Sequence, residues 1–125
     1  MAPGIQVIRK RADFVAANRG LRVARAGFVL LAHPNGGLGK RYGVTDTKKI
    51  GNAVVRNRMK RRLRELLRAA LPEAGLPDHD HVLIGREGGV ERDFAMLRGE
   101  LAVALSRAAE GKGDKPRTRP GSRQR

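Results

Sequence analysis

The sequence contains no cysteine, which excludes a disulfide framework, a thiolate metal site and a cysteine nucleophile. Whatever fold forms must hold without covalent staples. Long apolar runs are also missing: none approaches the roughly 20 residues of a membrane span, and Met1 to Lys10 lacks the apolar stretch of a secretory signal. The expected location is the cytoplasm. Acidic residues are scarce, since 12 Asp and Glu face 27 Lys and Arg, a formal net charge of +15. Such an excess works against a compact state by self-repulsion, so it points to a polyanionic partner that relieves it. Nucleic acid is the first candidate and an anionic membrane surface the second.

What is present fits one folded domain. A chain of 125 residues buries roughly two-thirds of its unfolded surface, enough for one core. Its hydrophobic residues, 40% of the total, come in periodic clusters separated by turn residues. The sequence predicts a flexible N-terminus over 1–8, a single α+β domain over 9–109 and a disordered basic tail over 110–125. From Gly111 onward the tail has no apolar residue, a composition that cannot build a core.

Within the domain, Lys10 to Arg19 reads as a short helix with Ala12, Phe14, Val15 and Ala16 available to face inward and Gly20 as its stop. Leu21 to Ala24 reads as a brief strand, and Gly27 to Ala32 as a firmer, central one. Pro34 to Gly39 has turn chemistry, and a hairpin returning as Arg41 to Thr45 is expected. After a long basic segment, Pro72 to Asp80 reads as a loop and His81 to Gly85 as a buried strand. Asp93 is a plausible N-cap for a last helix, whose Phe94, Leu97, Leu101, Ala104 and Leu105 share one face.

The basic segment carries Lys48, Lys49, Arg56, Arg58, Lys60, Arg61, Arg62, Arg64 and Arg68 against a lone Glu65. Wound as an α-helix it places Val55, Met59, Leu63, Leu66 and Leu67 on one face, and Asn57, Arg61, Arg64 and Arg68 in a stripe opposite. A merely solvated face interleaves charges of both signs. This face is nearly all cationic and mostly Arg, whose planar fork pairs with phosphate oxygens. Ahead of it, Asn52 is a candidate helix cap that would leave N–H groups facing a further phosphate. A membrane-surface role fits less well, because core strands elsewhere match the apolar face. Base-reading DNA recognition fits poorly too, since the stripe is made of phosphate-type contacts.

Other signals carry less. Gly36-Gly37-Leu38-Gly39-Lys40 lacks the first glycine and the Ser or Thr of a phosphate loop and reads as a turn. Asp78-His79-Asp80-His81 has ligand residue types without a partner cluster. His33 has no convergent nucleophile pattern, so no catalytic residue is expected.

The run from Thr47 to Glu65 (TKKIGNAVVRNRMKRRLRE) resembles the signature of the bacterial ribonuclease P protein subunit. Lys10 to Phe14, Arg41 to Val44 and His81 to Ile84 match the family in order, so the resemblance spans roughly residues 5 to 107. It implies a two-layer α+β domain, α-β-β-β-α-β-α, with a mixed sheet packed against helices and a left-handed βαβ crossover, against the general rule. It further implies a non-catalytic protein subunit of an endoribonuclease whose catalytic RNA removes the 5′ leader of precursor tRNA, with Mg²⁺ held mainly by RNA. No protein metal site and no small-molecule substrate are implied. By resemblance Lys48, Lys49, Asn52, Arg56, Asn57, Arg58, Lys60, Arg61 and Arg64 contact the catalytic RNA, joined on charge alone by Arg62 and Arg68. Phe14 and Phe28 match positions lining the family's leader cleft, where single strands stack on aromatic faces. The chain departs from the family in having Asn18 or Ala17, and Leu31, where further cleft aromatics are common. Asp46 also brings a negative charge beside the RNA-binding loop. A ribosomal or other structural RNA-binding protein is the alternative that composition alone permits.

Overall fold

The computed structural model describes residues 5–113. Its elements are β1 (Ile5–Val7), α1 (Arg11–Ala17), β2 (Leu21–Ala24), β3 (Phe28–Pro34), β4 (Lys40–Thr45), α2 (Ala53–Ala74), β5 (His79–Gly85) and α3 (Phe94–Ala109), with 3-10 turns at Lys48–Ile50 and Glu87–Gly89. From α1 onward this is the expected α-β-β-β-α-β-α order. Ahead of it, Ile5 to Val7 pair in parallel with Lys40 to Tyr42, and the Ile8 N–H donates to the Tyr42 carbonyl at 2.7 Å. Part of the segment expected as a flexible arm is therefore an edge strand. At the other end, the chain beyond α3 is described as far as Gly113, and the rest of the expected basic tail, 114–125, lies outside the described residues.

The five strands lie in the order β1-β4-β5-β3-β2. β5 runs antiparallel to β3 and parallel to β4, so the expected β3–β4 hairpin does not form: β5 is inserted between them. The physical reason is burial on both sides. Val82 and Leu83 are at most 1% exposed and point to opposite faces, which suits a central strand. The wide turn of Pro34 to Gly39 spans the start of β5, where the Asn35 and Gly39 N–H groups donate to the Asp78 carbonyl and side chain.

Helices α2 and α3 cover one face of the sheet. Met59, Leu63, Leu66, Leu67 and Leu71 of α2 and Leu97, Leu101, Ala104 and Leu105 of α3 pack on Phe28, Leu30, Tyr42 and Leu83, as the apolar periodicity of both helices predicts. The opposite face is covered only in part, by α1, around Ile8, Ala17, Val29, Leu31 and Val82. Helix α1 turns inward on Ala17 and Phe14, whereas Val15, expected inside, is 55% exposed and Ala12 is exposed.

Helix α2 runs through Pro72, expected to begin a loop, and ends at Ala74. Proline removes one N–H near the helix end and leaves a carbonyl a turn earlier without its donor. The Lys40 ammonium, donating to the Leu71 and Pro72 carbonyls at 3.0 Å each, neutralises the negative end of the helix. No helix of the described residues is long and apolar enough to cross a membrane.

His81 and Asp80 are buried polar residues of β5 that point to opposite faces of the sheet. The Leu76 N–H donates to His81 Nε2 at 2.9 Å, so the proton sits on Nδ1, 3.0 Å from the Arg41 carbonyl. Burial depresses the His81 pKa below its ordinary value, with the hydrogen bond to Arg41 acting in the opposite sense. A histidine so held binds a proton more readily unfolded than folded, so its share of stability is whole above about pH 6.5 and drains away as pH falls. Thermal unfolding followed from pH 7.5 to 5 should show Tm falling below pH 6.5. A His81→Asn variant should start less stable and show a shallower decline, and equal slopes in the two proteins would place the titration elsewhere.

Candidate nucleic-acid interface

The basic segment folds as its periodicity predicts. Asn52 caps α2, its side-chain oxygen accepting from the Val55 N–H at 3.0 Å. Just before it Gly51 adopts φ +152°, and a Cβ there would lie 3.2 Å from the Val55 side chain, so the entry to the helix needs glycine. Ile50, 8% exposed, anchors the 3-10 turn in the core beneath α2 and leaves Lys49 exposed. Lys48 lies on the same turn.

Along α2 the structure sorts the predicted cations. Asn57, Arg61, Arg64 and Arg68 are all exposed and form the expected stripe, with Arg56 and Lys60 half-buried at its margins. Arg58 is exposed and only loosely paired, 3.6 Å from Glu91. Arg68 donates through Nε to the Tyr42 hydroxyl at 3.1 Å, a bond that raises its pKa, while its side chain stays exposed. Arg62 departs from the prediction. Its guanidinium donates to the carbonyls of Gly89, Val90 and Arg92 and lies 5.9 Å from the centre of the Phe94 ring, pinning the loop before α3 to α2. The sequence could not separate it from its neighbours because it sits one residue off the stripe, where α2 meets that loop.

A second surface lies on the other face of the sheet. A cleft of about 450 Å³ opens between α1 and the strands, lined by Arg9, Arg11, Phe14, Asn18, Leu31 and Ile84 among others. Phe14 rests on Gly43, where a Cβ would lie 2.6 Å from its ring carbons. Phe28 is not in this cleft. It is wholly buried on the α2 side, because strand pleating sends Phe28, Leu30 and Ala32 to one face and Val29 and Leu31 to the other. The cleft positions open at the sequence level resolve as Asn18 and Leu31, with Ala17 buried behind them. Arg9 and Arg11 were not singled out from sequence, although the basic run Arg9-Lys10-Arg11 beside Phe14 was the available signal.

A neighbouring groove of about 570 Å³ carries Arg22, Thr47, Lys49 and Arg86 over a floor that includes Val29 and Ile84. Ile84 lines both depressions and Lys49 belongs to the turn ahead of α2, so the cationic loop and the Phe14 cleft lie along one surface. Asp46, beside that loop, holds one carboxylate oxygen buried without a hydrogen-bond partner.

A model of the family described as Ribonuclease P matches residues 3–109. The chain belongs to the ribonuclease P protein family. It is 77% identical over 113 residues to the ribonuclease P protein component of Erythrobacter litoralis, covering 90% of this chain and 93% of that one. Among solved structures, the RNase P protein of Thermotoga maritima superposes with a TM-score of 0.70 at 30% identity, over 80% of this chain and 94% of that one. The Staphylococcus aureus RNase P protein gives 0.68 at 30% identity, over 82% and 94%. Family membership accounts for the long match at Thr47 to Glu65 and for the mixed sheet, and it gives no support to a ribosomal protein.

The two neighbouring arginines of α2 should behave oppositely. Arg62→Ala strips three carbonyls of their donor and should lower folding stability by about 1–3 kcal/mol in urea unfolding. Arg61→Ala, on an exposed face, should stay within about 0.5 kcal/mol of the parent. Equal losses would contradict the structural role given to Arg62.

Proposed function

We propose that this protein is the protein subunit of a ribonuclease P holoenzyme, seating the signature loop and the Arg61–Arg64–Arg68 stripe on the catalytic RNA and holding the 5′ leader of precursor tRNA in the Phe14 cleft. The carrying observation is the continuity of the two surfaces: Lys49 reaches from the loop ahead of α2 into a groove that meets the cleft at Ile84. A partner RNA on one side and a substrate strand on the other can then be gripped together. Phosphates meet Arg9, Arg11, Lys49 and the exposed arginines of α2, while Phe14 offers a base an aromatic face, a mode of binding tolerant of sequence. A purely structural RNA-binding protein would use the stripe and have no need of the cleft.

Hydrolysis, in this reading, is the RNA's. Among the described residues no group of three or more His, Asp or Glu side chains could hold a metal ion, and the donors of the proposed RNA face are cations, which repel Mg²⁺. In this reading Mg²⁺ is held by RNA phosphates. The protein's contribution is to neutralise phosphate charge and so reduce the Mg²⁺ needed for docking leader and ribozyme.

Precursor-tRNA cleavage by a bacterial catalytic RNA at low Mg²⁺, with and without the protein, tests this directly. Addition of the protein should restore 5′ maturation, and no rescue would overturn the reading. Arg61→Ala or Arg64→Ala should weaken affinity for the catalytic RNA whatever the leader sequence. Each should also reduce the slope of log K against log salt by roughly 0.7–0.9, and an unchanged slope would move the phosphate contacts off the stripe.

A further inference from the structure

Helix α1 forms one wall of the cleft, yet it has only seven residues and no side-chain cap at its start. A helix so short has little stability of its own in water, so tertiary contacts must fix where it lies. Two of these contacts, Ala17 and Phe14, are apolar, and apolar contact fixes position less sharply than directional bonds do. One directional tie is present. Asp80 of β5, 2% exposed, accepts from Arg41 Nε at 2.7 Å and Nη2 at 2.8 Å, and Asn35 donates to the same carboxylate at 2.9 Å. Burial pushes the Asp80 carboxyl up, but the bonds from Arg41 and Asn35 outweigh it and hold the group below its ordinary range.

With its planar fork locked in this way, Arg41 reaches out through Nη2 to Asp13 of α1, 3.5 Å away. Asp13 directly precedes Phe14, and Phe14 rests on Gly43, two residues along β4 from Arg41 and on the same face. The chain of contacts runs from the sheet interior to the cleft's aromatic ring.

We infer that Arg41 is a positioning residue for the substrate strand: through Asp13 it sets where α1 lies over the sheet, and thereby the width of the cleft and the attitude of Phe14. It does not line the Phe14 cleft. Lysine cannot substitute, because a single ammonium keeps the charge but not the fork that holds Asp80 while facing Asp13. This inference rests on the proposal that the leader occupies the cleft.

The test uses holoenzyme reconstituted with catalytic RNA and compares KM for precursor tRNAs carrying a long leader and a single-nucleotide leader. Asp13→Asn is the main variant, because it leaves the Arg41–Asp80 pair in place and alters a partly exposed side chain. Arg41→Lys is the second, its folding checked by Tm. Phe14→Ala reports on the cleft itself. Asp13→Asn should raise KM for the long-leader substrate roughly fivefold, the low end of what one base–aromatic stack contributes. It should leave kcat, the short-leader KM and affinity for the catalytic RNA unchanged, and Asp13→Glu should restore part of the loss. A leader effect in Phe14→Ala without one in Asp13→Asn would overturn the positioning role while sparing the cleft. No leader effect in either would overturn both.

Discussion

Burial of one stripe of α2 is the contact on which the rest of the molecule depends. Met59, Leu63, Leu66, Leu67 and Leu71 are each at most 3% exposed, and a fully buried side chain of this kind contributes about 1.5–3 kcal/mol. The same helix carries Arg56, Arg58, Lys60, Arg61, Arg62, Arg64 and Arg68, like charges that repel one another along the rod. Without the sheet beneath it, a segment of this composition would have little reason to stay helical in water. Seating it on the core turns a disordered polycation into a rigid array in which Asn57, Arg61, Arg64 and Arg68 keep a fixed spacing. That order, paid for on the apolar side, need not be supplied again when RNA binds.

Charge density alone does not say which cations are available to a partner. Arg62 and Arg61 are adjacent in sequence and identical in chemistry, yet Arg62 satisfies three loop carbonyls and Arg61 projects into solvent. Arg41 is likewise committed to Asp80 and Asp13, and Lys40 to the end of α2. The cations divide into those that finish the fold and those that face outward. Fewer arginines therefore face outward than the sequence suggests, because Arg62 and Arg41 are engaged in contacts within the fold.

Periodicity made α2 and α3 legible, because an apolar residue every three or four positions names the buried face whatever it packs against. The caps at Asn52 and Asp93 followed from local chemistry that needs no tertiary partner. The sheet was harder to read. β3 is buried on both faces from Phe28 to Ala32, so it has no alternation to show which side Phe28 takes, and the family match alone had put that ring in the cleft. The β3–β4 turn was recognised as a turn, but turn residues cannot reveal that a strand from forty residues later slides between its arms. β1, three residues long with Gln6 and Val7 exposed, owes its existence to the open edge of β4, a partner invisible from Ile5 to Val7 alone.

The cleft shows the same limit from the other side. Its lining comes from α1, β3, β4 and β5, so no contiguous motif describes it, and Phe14, Asn18 and Leu31 could be named in advance only through the family resemblance. The elements meeting there are held by unlike forces: apolar packing for Ala17 and Phe14, and a charged, partly buried relay through Arg41. A buried ion pair is weak evidence for stability, because desolvation consumes much of its Coulomb energy. Its advantage over an apolar contact is direction, since a guanidinium fork held at 2.7 and 2.8 Å admits few orientations. Where a short helix must hold a ring at a set height over a sheet, that restriction of geometry explains the placement of two carboxylates and an arginine better than any gain in stability.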